Sequence, residues 1–191
     1  MRLRLAEPRD GDGIAQIYGP MVETTPISFE VEPPSGDEMA ARVAATLPDH
    51  PWLVADSDDR VVGYAYAHRF HPRAAYDWTV ETSIYVDPGR WKRGTGRQLY
   101  TALLAILRAQ GYRRAVALVA LPNPASVRLH EATGFVPVGV YHRVGWKFGA
   151  WHDVGVWELD LAATAGSEPT GPIPVTALGP EALRAALAAS A

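Results

Sequence analysis

The stretch Asp87-Pro88-Gly89-Arg90-Trp91-Lys92-Arg93-Gly94-Thr95-Gly96-Arg97 sets the frame for the rest of the chain. It follows a segment, Val80 to Val86, in which Val80, Thr82, Ile84 and Val86 fall on one face and Glu81, Ser83 and Tyr85 on the other, the alternation of a strand. It precedes an apolar stripe of Leu99, Leu103, Ile106 and Leu107 at helical spacing, closed by Gly111. Strand, glycine-rich turn and helix in that order bring backbone N–H groups close to an anion at the positive end of the helix. Arg90, Lys92, Arg93 and Arg97 surround the turn with cations. The residues point to a phosphate or pyrophosphate ligand, the other reading being a solvated basic turn ahead of a surface helix. Two familiar phosphate motifs do not fit: the turn lacks a Gly-Lys-Ser/Thr ending, and its glycine spacing is not that of a dinucleotide fingerprint.

Toward the N-terminus, Arg2 to Ala6 reads as a short strand, and Ile14, Ile17, Tyr18 and Met21 as one face of a helix after turn signals at Asp10 to Gly13. Ser35 and Glu38 have the form of a capping box ahead of a second helix, Met39 to Leu47, which Pro48 and Pro51 prevent from continuing. Trp52 to Ala55 and Val61 to His68, around a turn at Asp56 to Arg60, read as a hairpin. Toward the C-terminus come a buried-looking strand (Ala115 to Leu121), a short helix begun by proline (Pro124 to Ala132), and two strands near Phe135 to Val144 and Val154 to Leu161. Strands outnumber helices and are partly sequential, which predicts an α/β domain of the α+β type with a mixed, largely antiparallel central sheet flanked by helices. The domain is expected over residues 1–161. Residues 162–191, rich in Ala, Pro, Gly, Ser and Thr, are expected to be a tail in which Pro180 to Ala189 can form one short helix.

The 191 residues suit one domain, and 48% hydrophobic with 20% charged residues is the balance of a globular protein. A net charge of −3 with scattered basic residues argues against nucleic acid as a partner. Met1 to Glu7 lacks the apolar core of a secretion signal, and no stretch is apolar enough to span a membrane, so a cytoplasmic location away from membranes is expected. With no cysteine, disulfides, thiolate zinc sites and a cysteine nucleophile are excluded together. His68 and His71 lack the partners of a zinc site, and no metal is expected.

The turn resembles the Gln/Arg-x-x-Gly-x-Gly/Ala segment with which the GNAT acetyltransferase superfamily holds the pyrophosphate of acetyl-CoA. Gly94 and Gly96 match, while Trp91 stands where the family prefers Gln or Arg. A second segment, Leu121-Pro122-Asn123-Pro124-Ala125-Ser126 through Gly134-Phe135, is similar to the superfamily's Asn-to-Gly-Phe run. Ala75-Tyr76-Asp77-Trp78-Thr79-Val80-Glu81 and Gly145-Trp146-Lys147 through Val154-Gly155 narrow the resemblance to the phosphinothricin N-acetyltransferase-like branch, over about Arg2 to Leu161.

The resemblance implies N-acetylation, by acetyl-CoA, of a small amino-acid-like amine acceptor such as phosphinothricin or methionine sulfoximine, in a homodimer. It implies cofactor contacts at Tyr85, Val86, Lys92, Arg93, Gly94, Thr95, Gly96, Arg97, Asn123 and Ser126, with the oxyanion met by a backbone N–H near Tyr85 or Val86, where the superfamily's strand bulges. Glu81 is the candidate base and His130 the candidate acid toward the leaving thiolate. On the residues alone, Glu81 can equally be a solvent-facing sheet position, and His130 a cofactor contact or helix cap. Phe29, Arg73, Tyr76 and Lys147 are the candidate acceptor residues, Arg and Lys suiting an anionic group, although each can equally be a solvated surface residue. Acetylation of a protein or peptide, and a non-catalytic acetyl-CoA sensor, are the alternative readings. Trp146, Trp151 and Trp157 read as core or interface packing.

Overall fold

The alternating segment before the glycine turn is the fourth of seven strands in one sheet. The computed structural model describes residues 1–162 and 170–189. In chain order the elements are β1 (Arg2–Leu5), α1 (Gly11–Thr24), α2 (Gly36–Thr46), β2 (Trp52–Ser57), β3 (Arg60–Arg69), β4 (Thr79–Val86), α3 (Thr95–Gln110), β5 (Arg114–Leu121), α4 (Pro124–Ala132), β6 (Val136–Lys147), β7 (Ala150–Asp160) and α5 (Pro180–Ala188). The strands lie in the order β1-β2-β3-β4-β5-β7-β6. Every neighbouring pair is antiparallel except β4 and β5, which α3 connects as a crossover.

Each face of the sheet carries its own core. On one side Leu99, Leu103, Ile106 and Leu107 of α3 are fully buried against Leu53, Ala65, Val80 and Ala115. On the other, Ile14, Ile17 and Val22 of α1 and Met39 and Val43 of α2 pack on Trp52, Val54 and Tyr64. The apolar spacing read from the sequence thus sorts the helices to opposite faces. Each fully buried Leu or Ile contributes about 1.5–3 kcal/mol of transfer free energy to this arrangement.

Local signals account for most boundaries. Ser35 Oγ accepts from Glu38 N at 3.2 Å while Glu38 Oε2 accepts from Ser35 N at 2.8 Å, so the capping box is closed in both directions. Gly111, with φ of 93°, ends α3. One boundary differs from expectation: α1 begins at Gly11, inside what reads as a turn. A Cβ there would fall against the Gly36 carbonyl and 2.8 Å from Ala40 N, so Gly11 is required by close approach to α2 and not by a turn.

The C-terminal stretch also differs. Residues 163–169 of the expected tail lie outside the described residues. Beyond them the chain docks: Trp78 Nε1 donates to Thr170 O at 2.9 Å, Ile173 N to Gln110 O at 2.8 Å, and Gln110 Nε2 to Asp49 O and Ile173 O, each at 2.8 Å. Val175 and Ala186 are buried, and α5 packs on α3 with Leu183 and Leu187 against the core. Low-complexity composition hid this short amphipathic helix's role as a cover for α3. No helix among the described residues is long and apolar enough to cross a membrane.

Candidate active site

The site originates in a split in the sheet. β4 and β5 are in register only at Thr79–Arg114, Val80–Ala115 and Glu81–Val116. Past Glu81, β4 stays with β3 as far as Val86, while β5 stays with β7 as far as Leu121. Between the diverging ends lies a cavity of about 450 Å³, walled by Thr82 to Val86 on one side and Leu118 to Ala120 on the other. The glycine turn closes one end with Arg90, Trp91, Lys92, Gly94, Thr95, Gly96 and Arg97, and the start of α4 contributes Asn123, Ala125, Ser126 and His130.

Two parts of this wall are built for an anion. Gly94 adopts φ of 83° ahead of Thr95, turning the chain into α3 so that the unpaired N–H groups of the first helical turn face the cavity mouth. At Gly96 an added Cβ would lie 3.2 Å from Leu129 Cδ2, leaving a cradle open only because no side chain is there. Arg93, expected as a contact, is not among the wall residues. Trp91 stands half-exposed at the mouth with its indole N–H donating to Val86 O at 2.9 Å, so its one donor is committed to the strand. Asn123 Oδ1 caps α4 by accepting from Ser126 N at 3.1 Å, and its amide hydrogens remain as donors.

The bulge expected near Tyr85 and Val86 is absent: the β3–β4 register runs without a shift from Arg69–Val80 to Gly63–Val86. The split makes it unnecessary. Asp87 N donates to Val62 O on the β3 side, so by the alternation of strand amides Ile84 and Val86 present theirs toward the cavity and Tyr85 does not. The Tyr85 ring packs on the opposite face, 4.9 Å from Tyr18 and 5.3 Å from Tyr64.

His130 is buried, and both its ring nitrogens are engaged. Nδ1 lies 2.8 Å from Ser126 O, a pure acceptor, so Nδ1 carries the hydrogen and Nε2 accepts from Tyr100 Oη at 2.8 Å. Thr82 Oγ1, 3.2 Å from both Tyr100 Oη and Val116 O, completes a chain that ties α4 and α3 to β4. Burial lowers the imidazole's proton affinity, with the Ser126 carbonyl opposing. A neutral, fully bonded histidine is poorly suited to the acid role expected of it. Tyr100, which holds it there, was concealed within α3's apolar stripe.

Glu81 projects from the face of β4 that also carries Ser83 and Tyr85, one step deeper than the cavity wall. Burial raises its carboxyl pKa, partly offset by His68. The acceptor candidates are dispersed. Phe29 packs against Gly145, at which no Cβ would fit, and its ring lies 6.2 Å from that of His152. The Tyr76 ring lies tilted against that of His71, 4.7 Å away, in the β3–β4 connection, and Arg73 precedes the same single turn with an exposed side chain. Lys147 is the clearest departure: it is buried, with Nζ donating to Val22 O at 2.6 Å and Ser28 O at 2.8 Å. Its ammonium pins the end of β6 to the last turn of α1 and to the α1–α2 connection, leaving one donor where a free cation is expected.

Residues 3–156 match the acetyltransferase (GNAT) domain family. The chain is 39% identical over 173 residues to phosphinothricin N-acetyltransferase of Streptomyces viridochromogenes, covering 91% of this chain and 94% of that one. It is 33% identical over 162 residues to L-methionine sulfoximine/L-methionine sulfone acetyltransferase of Salmonella typhimurium, covering 84% and 95%. Among solved structures, a GNAT superfamily phosphinothricin acetyltransferase from Sinorhizobium meliloti in complex with acetyl-CoA superposes with a TM-score of 0.84 at 34% identity, over 90% of this chain and 94% of that one.

Proposed function

The chain belongs to the GNAT acetyltransferase family, and from that premise we propose that it moves the acetyl group of acetyl-CoA to the free amine of a small, anionic, amino-acid-like acceptor of the phosphinothricin or methionine sulfoximine type. The proposal rests on the split of β4 from β5 immediately beyond Glu81, which opens a cavity against the anion cradle at the start of α3 and leaves a partly buried carboxyl on β4 next to it.

The first-turn amides of α3, with Gly94, Thr95 and Gly96, hold the pyrophosphate, and Lys92 and Arg97 add charge at the mouth. Asn123 and Ser126 line the pantetheine path. Glu81 takes the proton of the attacking amine, and its raised pKa suits it to the task better than an ordinary carboxylate. The Val86 and Ile84 amides face the developing oxyanion. His130 enters as the anchor of Tyr100 and α4 and not as the acid. Arg73, Tyr76 and Phe29 remain the residues to test for acceptor recognition.

The reaction belongs in the cytoplasm, the compartment that supplies acetyl-CoA. The β6–β7 hairpin displays Val138, Tyr141, Trp146, Phe148 and Trp151, each more than half exposed. Exposed apolar side chains along a hairpin whose β6 is a twelve-residue edge strand, with the Trp146 and Trp151 rings 5.3 Å apart, support a homodimer.

Release of CoA thiol by the purified protein should be robust with phosphinothricin, methionine sulfoximine or methionine sulfone and weak with peptides. Glu81→Gln should keep acetyl-CoA binding while turnover falls by about a hundredfold or more. Turnover confined to peptides would redirect the reading to a protein acceptor. Acetyl-CoA binding without turnover on any amine would leave a cofactor sensor.

A further inference from the structure

The register of β3 and β4 sets His68 directly across from Glu81, with His68 Nε2 3.7 Å from Glu81 Oε1. The other ring nitrogen, Nδ1, lies 3.1 Å from the backbone carbonyl of Arg69. A carbonyl only accepts, so Nδ1 carries the hydrogen and Nε2 turns its lone pair toward the carboxyl. The two side chains differ in their access to water: Glu81 is 22% exposed and His68 41%.

His68 also lines a second cavity, of about 260 Å³, with Tyr18, Arg42, Trp52 and Tyr66. None of the residues lining it belongs to the wall of the cofactor cavity. Glu81 comes directly before the β4 residues that wall the first cavity and is linked to the second through His68.

A base that accepts a proton in a partly buried site must lose it before the next turnover. We propose that His68 is the proton outlet of Glu81, a reading that rests on Glu81 being the base. In this step the Oε1–H bond of the protonated Glu81 breaks and a bond forms from the proton to His68 Nε2, leaving a carboxylate and an imidazolium. The imidazolium then releases its Nε2 proton to water on the side of the second cavity. At 3.7 Å the pair is too far apart for a direct hydrogen bond, and a single intervening water or a small rotation of the exposed ring spans the gap.

The surroundings leave this exchange to the pair. Arg42, from α2, is matched by Glu30 through two hydrogen bonds of 2.8 and 3.0 Å. Arg69, next to His68 on β3, is matched by Asp77 at 2.7 Å. Tyr18 from α1, Tyr64 and Tyr66 from β3 and His50 from the α2–β2 connection also lie on this side. Burial favours the neutral form of each of the four, raising the three phenols and lowering the imidazole.

The test compares His68→Ala and His68→Gln with Glu81→Gln, following the first turnover by rapid mixing and later turnovers at steady state, from about pH 6 to about pH 9. Both His68 variants should complete the first turnover at the wild-type rate, then slow by about tenfold near neutral pH with KM for acetyl-CoA unchanged. The deficit should shrink as pH rises, and added imidazole should restore His68→Ala. Wild-type steady-state rates in His68→Gln would overturn the outlet. So would a first turnover slowed as much as later ones, or a loss in His68→Ala that neither imidazole nor pH relieves. If Glu81→Gln is slow while both His68 variants are fast, only the outlet fails; if Glu81→Gln is itself fast, the base fails and the outlet with it.

Discussion

The two sides of β4 are built on different principles. On the α3 side the site is mostly backbone: a left-handed glycine, the bare first turn of a helix and strand amides released by a split in the sheet. On the α1–α2 side it is mostly side chain: Glu81 across from His68, Lys147 under two carbonyls, Phe29 against a glycine. A backbone site tolerates substitution at its rim, as Trp91 shows by standing at the mouth with its donor committed elsewhere. A side-chain site depends on who pairs with whom, and changes with each residue.

The sharpest way to break this comparison is to fill the cradle. Gly96→Leu would project a branched side chain where even a Cβ lies 3.2 Å from Leu129 Cδ2. Acetyl-CoA affinity should fall by on the order of a hundredfold, about 3 kcal/mol, measured by calorimetry. Lys92→Ala and Arg93→Ala should each cost less than about tenfold, because exposed charges act through screened solvent. Cation variants costing more than the glycine variant would mean that side chains, not backbone, hold the anion.

A smaller effect separates anchoring from recognition on the other side. Lys147→Met removes the donor to Val22 O and Ser28 O, leaving two buried carbonyls unpaired. Stability should drop by about 1–3 kcal/mol in chemical denaturation. KM for the acceptor should rise no more than loosening of the α1–α2 connection explains. Unchanged stability with a large rise in acceptor KM would return Lys147 to the acceptor site.

The same contrast explains what the sequence reveals. Gly94, Gly96 and the α3 stripe are local signals, and the glycine turn, the helix and its C-cap Gly111 stand close to where their spacing predicts. The split of β4 from β5 has no local signal, because it depends on how two strands separated by α3 pair, and the open amides of Ile84 and Val86 follow from it without the expected bulge. Lys147 reads as a free cation because its partners are backbone atoms more than a hundred positions away. His68 gives no signal of its own, since its meaning comes from the register that sets it across from Glu81. The docking of α5 is hidden by a composition that reads as a linker.

The smallest expected effect tests the two titrating groups that face opposite sides of β4. Burial lowers the pKa of His130, so below the ordinary histidine value of about 6.5 the unfolded chain takes up a proton that the folded one refuses. Stability contributed at this site is full above that value and is lost as pH falls toward the folded pKa. Glu81 has the opposite sign. Its raised pKa lets the folded chain hold a proton that the unfolded one has released above about 4.3, so its contribution is full below that value and is lost as pH rises through the folded pKa. Within the window from about pH 4.3 to about pH 6.5, Glu81 acts from the lower end upward and His130 from the upper end downward, with slopes of opposite sign, each limited to about 1.4 kcal/mol per pH unit for one proton. His130→Gln should flatten the loss of stability on acidification through this window, and Glu81→Gln should steepen it, both read from denaturant midpoints at a series of pH values. A Glu81→Gln profile equal to that of the wild type would mean that the carboxyl on the acceptor side is solvated like a surface group, and that the contrast between the sides of β4 does not extend to its proton.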